Sequence, residues 1–398
     1  MTAPRRVAIL SATRTPIGKY GGTLRAVPAV QLGALAAQAA VVRSGVPPVQ
    51  IPEVVMGHCL QAGTGQNPAR QVLRSVGIPD SSGAVTVNMV CGSGMRALLL
   101  ASAMIRAGDI DVALVGGMES MSGAPFLVPS AVRWGMKPGA VPLEDEMMRD
   151  SLLDAYGEHE AMGHSGERIA QKLGLTRADV DAFSVRSHRL AAQANADGTF
   201  DAETVPVPTS LGLKVPFVHD EGPRGDSTLE SLGRLKPSFR PDGLLTAGNS
   251  SQLSDGAAAL VLTSEEEARR LGRPPIAYLH SHEVGGVRPS DVMEAPIPTV
   301  RAHLDRVHIA PADIDRVEHN EAFASSSIAV QRAFGFTDHQ FNVHGGAVAL
   351  GHPIGASGAR IVVTLVHELV RSNSHLGLAT LCMGGGNGLS LLVERERP

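Results

Sequence analysis

The sequence predicts an α/β protein in which a duplicated half gives five layers, αβαβα, with a loop domain inserted in the first half. Three observations predict this. VAIL (7–10), VTVNMV (85–90) and VALVGG (112–117) are apolar runs of strand length separated by helical patterns, the alternation of a layered α/β fold. A weak internal repeat relates VNMVCGSGMRALLLASAMIRAG (87–108) to ALGHPIGASGARIVVTLVHELVRS (349–372). Both carry Ser-Gly-x-Arg at a helix start, and each helix leads to an apolar strand ending in glycines, VALVGGMES (112–120) and LATLCMGGG (378–386). The two helices, 93–107 and 357–370, are apolar on nearly all sides, which places them inside the protein between two sheets.

A chain of 398 residues is too long for one ordinary core and suits two such halves. Residues 1–120 read as the first. Gly/Pro-rich stretches such as APFLVPSAVRWGMKPGAVP and DEGPRGD break residues 121–249 into the inserted loop domain. AAALVLTS (257–264) reads as a strand rejoining the first half, so residues 250–270 complete it. Charged EEEARRLGRPP (265–275) closes that half, and residues 271–398 form the second, opening on IAYLHSHEV (276–284).

Composition excludes several functions. Aromatic residues make up 3% of the chain and the net charge is −4, so stacking surfaces and a global positive field for nucleic acid are both lacking. Three cysteines, Cys59, Cys91 and Cys382, are few, odd in number and far apart, which argues against a disulfide framework and for a reducing, cytoplasmic location. The opening MTAPRRVAILSATRTP has an apolar stretch of only one strand's length, so neither a signal peptide nor a membrane span is expected there or later.

The chemistry concentrates in four segments. Cys91, in NMVCGSG, sits between a strand and a buried helix with glycines at 92 and 94, where unpaired backbone N–H groups and the helix dipole favour a thiolate and can hold an oxyanion. A buried structural cysteine is the competing reading. His352, in GGAVALGHPIGASG, lies in a tight turn before the second helix, where an imidazole can serve as base or donate to a thioester carbonyl. Cys382, in CMGGGNG, ends a strand beside three glycines, a place suited to proton shuttling. Asn320, in HNEAFA, could anchor a water or a carbonyl oxygen, or simply make an Asx turn.

Together these segments resemble the thiolase family. The resemblance extends over nearly the whole chain: RTPIGKYGG (14–22), GQNPARQ (65–71), NMVCGSG (88–94), GGMESMS (116–122), TLESL and LKPSF (228–239), AGNSSQLSDGAA (247–258), HNEAFA (319–324), GGAVALGHPIGASG (345–358) and CMGGGNG (382–388). It implies that Cys91 is the acyl-accepting nucleophile, His352 its base, Cys382 the acid/base for the second substrate, and Asn320 the holder of a water. The amides of Cys91 and Gly384 would form one oxyanion hole, and His352 with the Asn320 water the other. It further implies coenzyme A thioesters as substrates with no tightly bound cofactor, Arg224 at the nucleotide end, Ser251 at the pantetheine arm, and Met162, Phe239, Ala247 and Phe323 as further contacts. The implied activity is acetyl-CoA acetyltransferase, with a 3-ketoacyl-CoA thiolase of broader chain length as the alternative, in a homodimer or homotetramer.

Departures from the family pattern bear on substrate. His58 and Cys59 stand where apolar or amide residues are common, and lack further ligands for a metal. His344 is expected to change hydrogen bonding near the His352 loop, and Phe126 and Ala161 stand where short-chain members often have His. A decarboxylating ketoacyl synthase would carry a second histidine in place of Cys382. A cysteine hydrolase or a non-catalytic acyl-CoA-binding protein gives no reason for Cys91, His352, Cys382 and Asn320 to occur together.

Overall fold

A computed structural model describes residues 5–157 and 159–396. Strands β1 (Val7–Arg14), β2 (Glu53–Gly57), β3 (Gly83–Val87), β4 (Val112–Ser120) and β5 (Ser254–Ser264) come from the earlier part of the chain. Strands β6 (Ala277–Gly286), β7 (Arg316–His319), β8 (Leu376–Met383) and β9 (Asn387–Glu394) come from the last part. They pair in the order β7-β8-β9-β6-β1-β5-β4-β2-β3, with the short strand Gly18–Lys19 beside β5. β2 is parallel to β3 and β4, and β7 to β8. The two sheets expected from the sequence are therefore joined edge to edge, where β1 pairs antiparallel with β6 through Val7–Leu279, Ala8–Tyr278 and Ile9–Ala277.

Layering follows from strand alternation. On β5, Ala258, Leu260 and Leu262 point into a core shared with helices α3 (Ser93–Ala107) and α9 (Ile354–Arg371). Their neighbours Ala257, Ala259 and Val261 point the other way, under α1 (Ala29–Ser44) and α2 (Pro68–Ser75). Across the molecule, Val300 and Leu304 of α6 (Pro296–Val307) and Ile328 and Val330 of α7 (Ala324–Phe334) cover the outer face of β8 and β9. The order helix, sheet, helix, sheet, helix gives five layers, with α3 and α9 in the middle. Residues Val90–Ala107 are apolar and long enough for a membrane span by composition, a property explained by burial in this central layer.

The repeated Ser-Gly-x-Arg marks where the central helices cross. A Cβ on Gly94 would lie 2.8 Å from the Ala359 nitrogen, and one on Gly358 would lie 2.6 Å from the Met95 nitrogen. Only glycine allows this approach. Gly94 is the second residue of α3 and Gly358 the fifth of α9, so the crossing brings the two helix N-termini close together, and with them Cys91 and His352.

One strand expectation is corrected. β3 stops at Val87 and is half-exposed, because it is an edge strand bonded only to β2. Residues 88–92 instead form a turn in which Val90 has φ +49°, a strained value for a β-branched residue.

The segment between β4 and β5 carries helices α4 (Gly163–Lys172) and α5 (Arg177–Ala196). It is tied to β1 by a buried ion cluster, in which Arg14 Nε donates to Glu203 at 2.6 Å and Nη1 to Asp220 at 2.7 Å. α8 (Ala347–Leu350) lies against α5 and leads into the His352 turn.

Candidate active site

Cys91 Sγ lies 3.2 Å from His352 Nε2. The tautomer follows from the ring's other side. Ser357 Oγ donates its proton to the Pro353 carbonyl at 2.9 Å, so at the 2.5 Å contact with His352 Nδ1 it must accept. Nδ1 therefore carries the proton, and Nε2 is free to accept from the Cys91 thiol.

Burial sets the charge state. His352 is buried, and this pushes its pKa down to about 3, with the nearby Arg360 guanidinium adding to the effect. Cys91 is pushed up to about 11 by burial, opposed by the backbone N–H groups of Gly384 and of Cys91 itself. Burial thus works against the stabilised thiolate expected from the sequence: Cys91 lies just before the N-cap of α3, where desolvation outweighs the amides. The resting pair is a neutral thiol and a neutral imidazole.

Cys382 is buried at the end of β8, its thiol directed at Met293 Sδ at 3.6 Å. Burial, and Cys91 facing it, raise its pKa well above the ordinary thiol range. A Cβ on Gly92 would strike Met383 Sδ, so the residues following each of these cysteines pack against one another. Asn320 is fully buried, with Nδ2 3.4 Å from both ring nitrogens of His352. Its Oδ1 is buried with no hydrogen-bond partner among the described residues. Cys91, His352, Cys382, Asn320 and Gly384 are therefore brought to one place.

A cleft of about 290 Å³ opens beside them, lined by Met148, Ala161, Met162, Phe239, Phe323 and His352 among others. Ala247 and Ser251 also line it. Phe239 and Phe323 meet edge-on, their centroids 5.8 Å apart. Arg224 is exposed and not part of this lining, although its backbone N–H donates to His188 Nδ1 at 3.2 Å. Two departures are placed differently from expectation. Phe126 is 63% exposed on a short hairpin and does not line the cleft. His344 turns away from the His352 loop to Glu368 at 2.9 Å, because that carboxylate, shared with Arg316 and Arg371, offers it a partner.

Three residues that the motifs left without a role are part of the machinery. Ser93 and Ser357, the serines of the repeat, do equivalent work: Ser93 Oγ accepts from Met89 N at 2.8 Å and donates to Val90 O at 2.7 Å, holding the strained turn before Cys91. The repeat itself was the signal that could have found them. Glu119 is fully buried and accepts from the N–H groups of Cys59, Leu60 and Gly355, locking β2's exit to the start of α9. His58 Nε2 lies 3.2 Å from the same carboxylate, while Cys59 donates to Val90 O at 3.1 Å, so this pair is engaged in separate contacts.

Family models for the N-terminal and C-terminal domains of thiolase match residues 7–266 and 273–395. The chain belongs to the thiolase family. It is 46% identical to an acetyl-CoA acetyltransferase of Cupriavidus necator over 98% of this chain and 99% of the relative, and 47% identical to one of Syntrophomonas wolfei with the same coverage. Among solved thiolase-fold structures, it resembles the Bacillus anthracis acetyl-CoA acetyltransferase with a TM-score of 0.95 at 40% identity, covering 99% of this chain and 100% of that one. The human mitochondrial 3-ketoacyl-CoA thiolase matches with a TM-score of 0.94 at 37% identity, covering 98% of both chains. A thiolase from Ascaris suum, solved in complex with coenzyme A, matches at 0.93 and 39%, covering 98% and 100%. This thiolase is accordingly an acyltransferase in class, and overall shape does not separate acetyl-CoA acetyltransferases from 3-ketoacyl-CoA thiolases.

Proposed function

We propose that this thiolase is an acetyl-CoA C-acetyltransferase working through an acetyl-Cys91 intermediate. The observation that carries the proposal is the Cys91–His352 contact of 3.2 Å with a second thiol, Cys382, packed beside it. As Cys91 sulfur attacks the acetyl carbon, its proton passes to His352 Nε2; the tetrahedral oxyanion is met by the N–H groups of Cys91 and Gly384, and the coenzyme A thiolate leaves with a proton from Cys382. A second acetyl-CoA then binds with its thioester oxygen toward His352 and a water held by Asn320. Cys382 thiolate takes the α-proton, the enolate carbon attacks the acetyl group on Cys91, and the C–S bond breaks to give acetoacetyl-CoA. Thiolysis is the reverse. One oxyanion donor of this kind is worth about 3 kcal/mol, so losing Gly384's amide alone should not abolish turnover.

Coenzyme A thioesters are the proposed ligands of the cleft, with Ser251 and Ala247 at the pantetheine arm, Met162, Phe239 and Phe323 as walls, and Arg224 at its solvent end. Incubation with acetyl-CoA should leave an acetyl group on Cys91, located by digestion and mass spectrometry. Finding it on Cys382, or on no residue, would overturn the assignment of the nucleophile.

The broader-chain alternative draws on Ala161, which lines the cleft where a histidine would narrow it. Each substrate methylene buried there gains about 0.8 kcal/mol, roughly fourfold. Wild type should cleave a six-carbon 3-oxoacyl-CoA at a rate comparable to the four-carbon one, and Ala161→His should lower the six-carbon rate about tenfold. Strict four-carbon specificity in wild type, unchanged by the substitution, would leave the acetoacetyl-CoA reading alone standing.

Two surfaces support a homodimer or homotetramer. β3 is an edge strand with Val85 42% exposed, and the hairpin region after β4 exposes Phe126, Trp134 and Leu143. Sedimentation at the monomer mass would remove that support.

A further inference from the structure

Gln252 lies between the two ends of the bound thioester's expected path. Its side-chain Nε2 donates to the Ala349 carbonyl at 2.9 Å, with the Gly222 and Val348 carbonyls at 3.2 and 3.3 Å. Its own carbonyl accepts from His352 N at 2.9 Å, and Ser254 Oγ, donating to the same carbonyl at 2.8 Å, accepts from His352 N at 3.2 Å. One residue thus holds the loop that leads to Arg224, the end of α8, and the backbone of His352. The loop side of this contact is tight. A Cβ on Gly222 would lie 2.2 Å from the Ala349 oxygen, so the 222–224 loop rests directly on α8, two residues before the His352 turn. Gln252 also lines the cleft and follows Ser251 in sequence.

A side chain needed only for packing would not require a donor aimed at three carbonyls from two separate segments. We propose that Gln252 is a positioning residue that couples the grip on the nucleotide end of the thioester to the alignment of His352 against Cys91. The inference rests on the thiolase reading of the site and deepens it. Energy from binding a part of the substrate remote from the reacting carbon would then appear in turnover and not only in affinity. A ligand seated on the 222–224 loop fixes Gly222 against α8 through Gln252, and the same residue fixes His352 N. A thioester without the nucleotide adds nothing to the contact that Gln252 already makes between Gly222 and α8.

The test compares acetyl-CoA with S-acetyl-N-acetylcysteamine, which keeps the reacting thioester and lacks the nucleotide. In wild type, adding 3′-phosphoadenosine 5′-diphosphate in trans should raise the turnover of the truncated thioester about tenfold at saturation. Gln252→Met keeps the side-chain length and loses the donor. It should lower kcat with acetyl-CoA about tenfold with less than about threefold change in KM, lower kcat for the truncated thioester by a clearly smaller factor, and abolish activation by the free nucleotide. Equal losses with both thioesters, a change confined to KM, or inhibition of wild type by the free nucleotide would each overturn the proposal. The nucleotide arm uses wild type alone, so a variant that fails to fold does not remove the test. Absence of acetyl on Cys91 in wild type would instead defeat the parent reading, which distinguishes the two failures.

Discussion

Cys382→Ser should lose about three orders of magnitude in condensation while still acetylating Cys91, at a rate within about tenfold of wild type. The asymmetry follows from what each step asks of the residue. A coenzyme A thiolate is a stable leaving group near neutral pH, because an ordinary thiol ionises near pH 8.5, so the loss of an acid at position 382 slows its departure only moderately. An α-proton beside a thioester has no such stability as it leaves, and serine's alkoxide is far too basic to be present. Burial already makes the Cys382 thiol hard to ionise in the empty site. The proton must therefore move as the enolate forms, and a hydroxyl would meet a higher barrier still. Two measurements read the two steps: acetyl incorporation at Cys91 by mass spectrometry, and solvent deuterium exchange into the methyl group of acetyl-CoA. Loss of acetylation with exchange retained would reverse the assignment of Cys91 and Cys382.

The sequence carried the architecture because its strongest signals are local. Two apolar helices with Ser-Gly-x-Arg starts imply a symmetric pair, and the structure places those glycines at their crossing point. Cys91 and His352 were therefore legible as members of the same site, one before each helix. What was not legible depended on the direction of single side chains. His344 precedes the glycines of the His352 loop, yet its ring finds Glu368, which is 24 residues further along. Phe126 follows a motif segment, yet it sits on a hairpin whose only strand partner is residues 144–145. The charge state of Cys91 was not legible for another reason: the amides that favour a thiolate can be read from glycines, whereas desolvation depends on everything packed around the sulfur. The role of Ser357 was not legible because a serine in a helix's first turn usually bonds its own backbone, and its contact with His352 Nδ1 is a second bond made by the same oxygen.

Acidification from pH 7 to pH 5 should cost the folded protein roughly 3–5 kcal/mol, a large share of the stability of an ordinary domain. Four histidines are buried and neutral, with pKa values pushed down by burial: His188 to about 4, and His303, His319 and His352 to about 3. In the unfolded chain each titrates near 6.5. Between about pH 4 and 6.5 the unfolded state therefore binds more protons, and stability is present above 6.5 and lost as pH falls. Four buried carboxyls, Glu318, Glu321, Asp255 and Glu146, are raised by burial and act in the opposite sense. Burial raises Glu318 to about 8, so it holds a proton in the fold that an unfolded glutamate has released, and each of these contributions grows as pH falls from neutrality towards 5. Glu368 is pulled down to about 2 by His344, Arg316 and Arg371 despite its burial, so its contribution persists at pH 5 and is lost only below the ordinary carboxyl range. The four histidines, each costing about 2 kcal/mol between pH 7 and 5, outweigh these carboxyls. His303 offers a control away from the cleft, since it bonds Ser281 and Ser390, each at 2.8 Å. His303→Gln should reduce the loss between pH 7 and 5 by about 2 kcal/mol. Urea unfolding of wild type and variant at both pH values measures this, and a wild-type stability that stays flat or rises on acidification would show that the buried histidines are not the groups that set it.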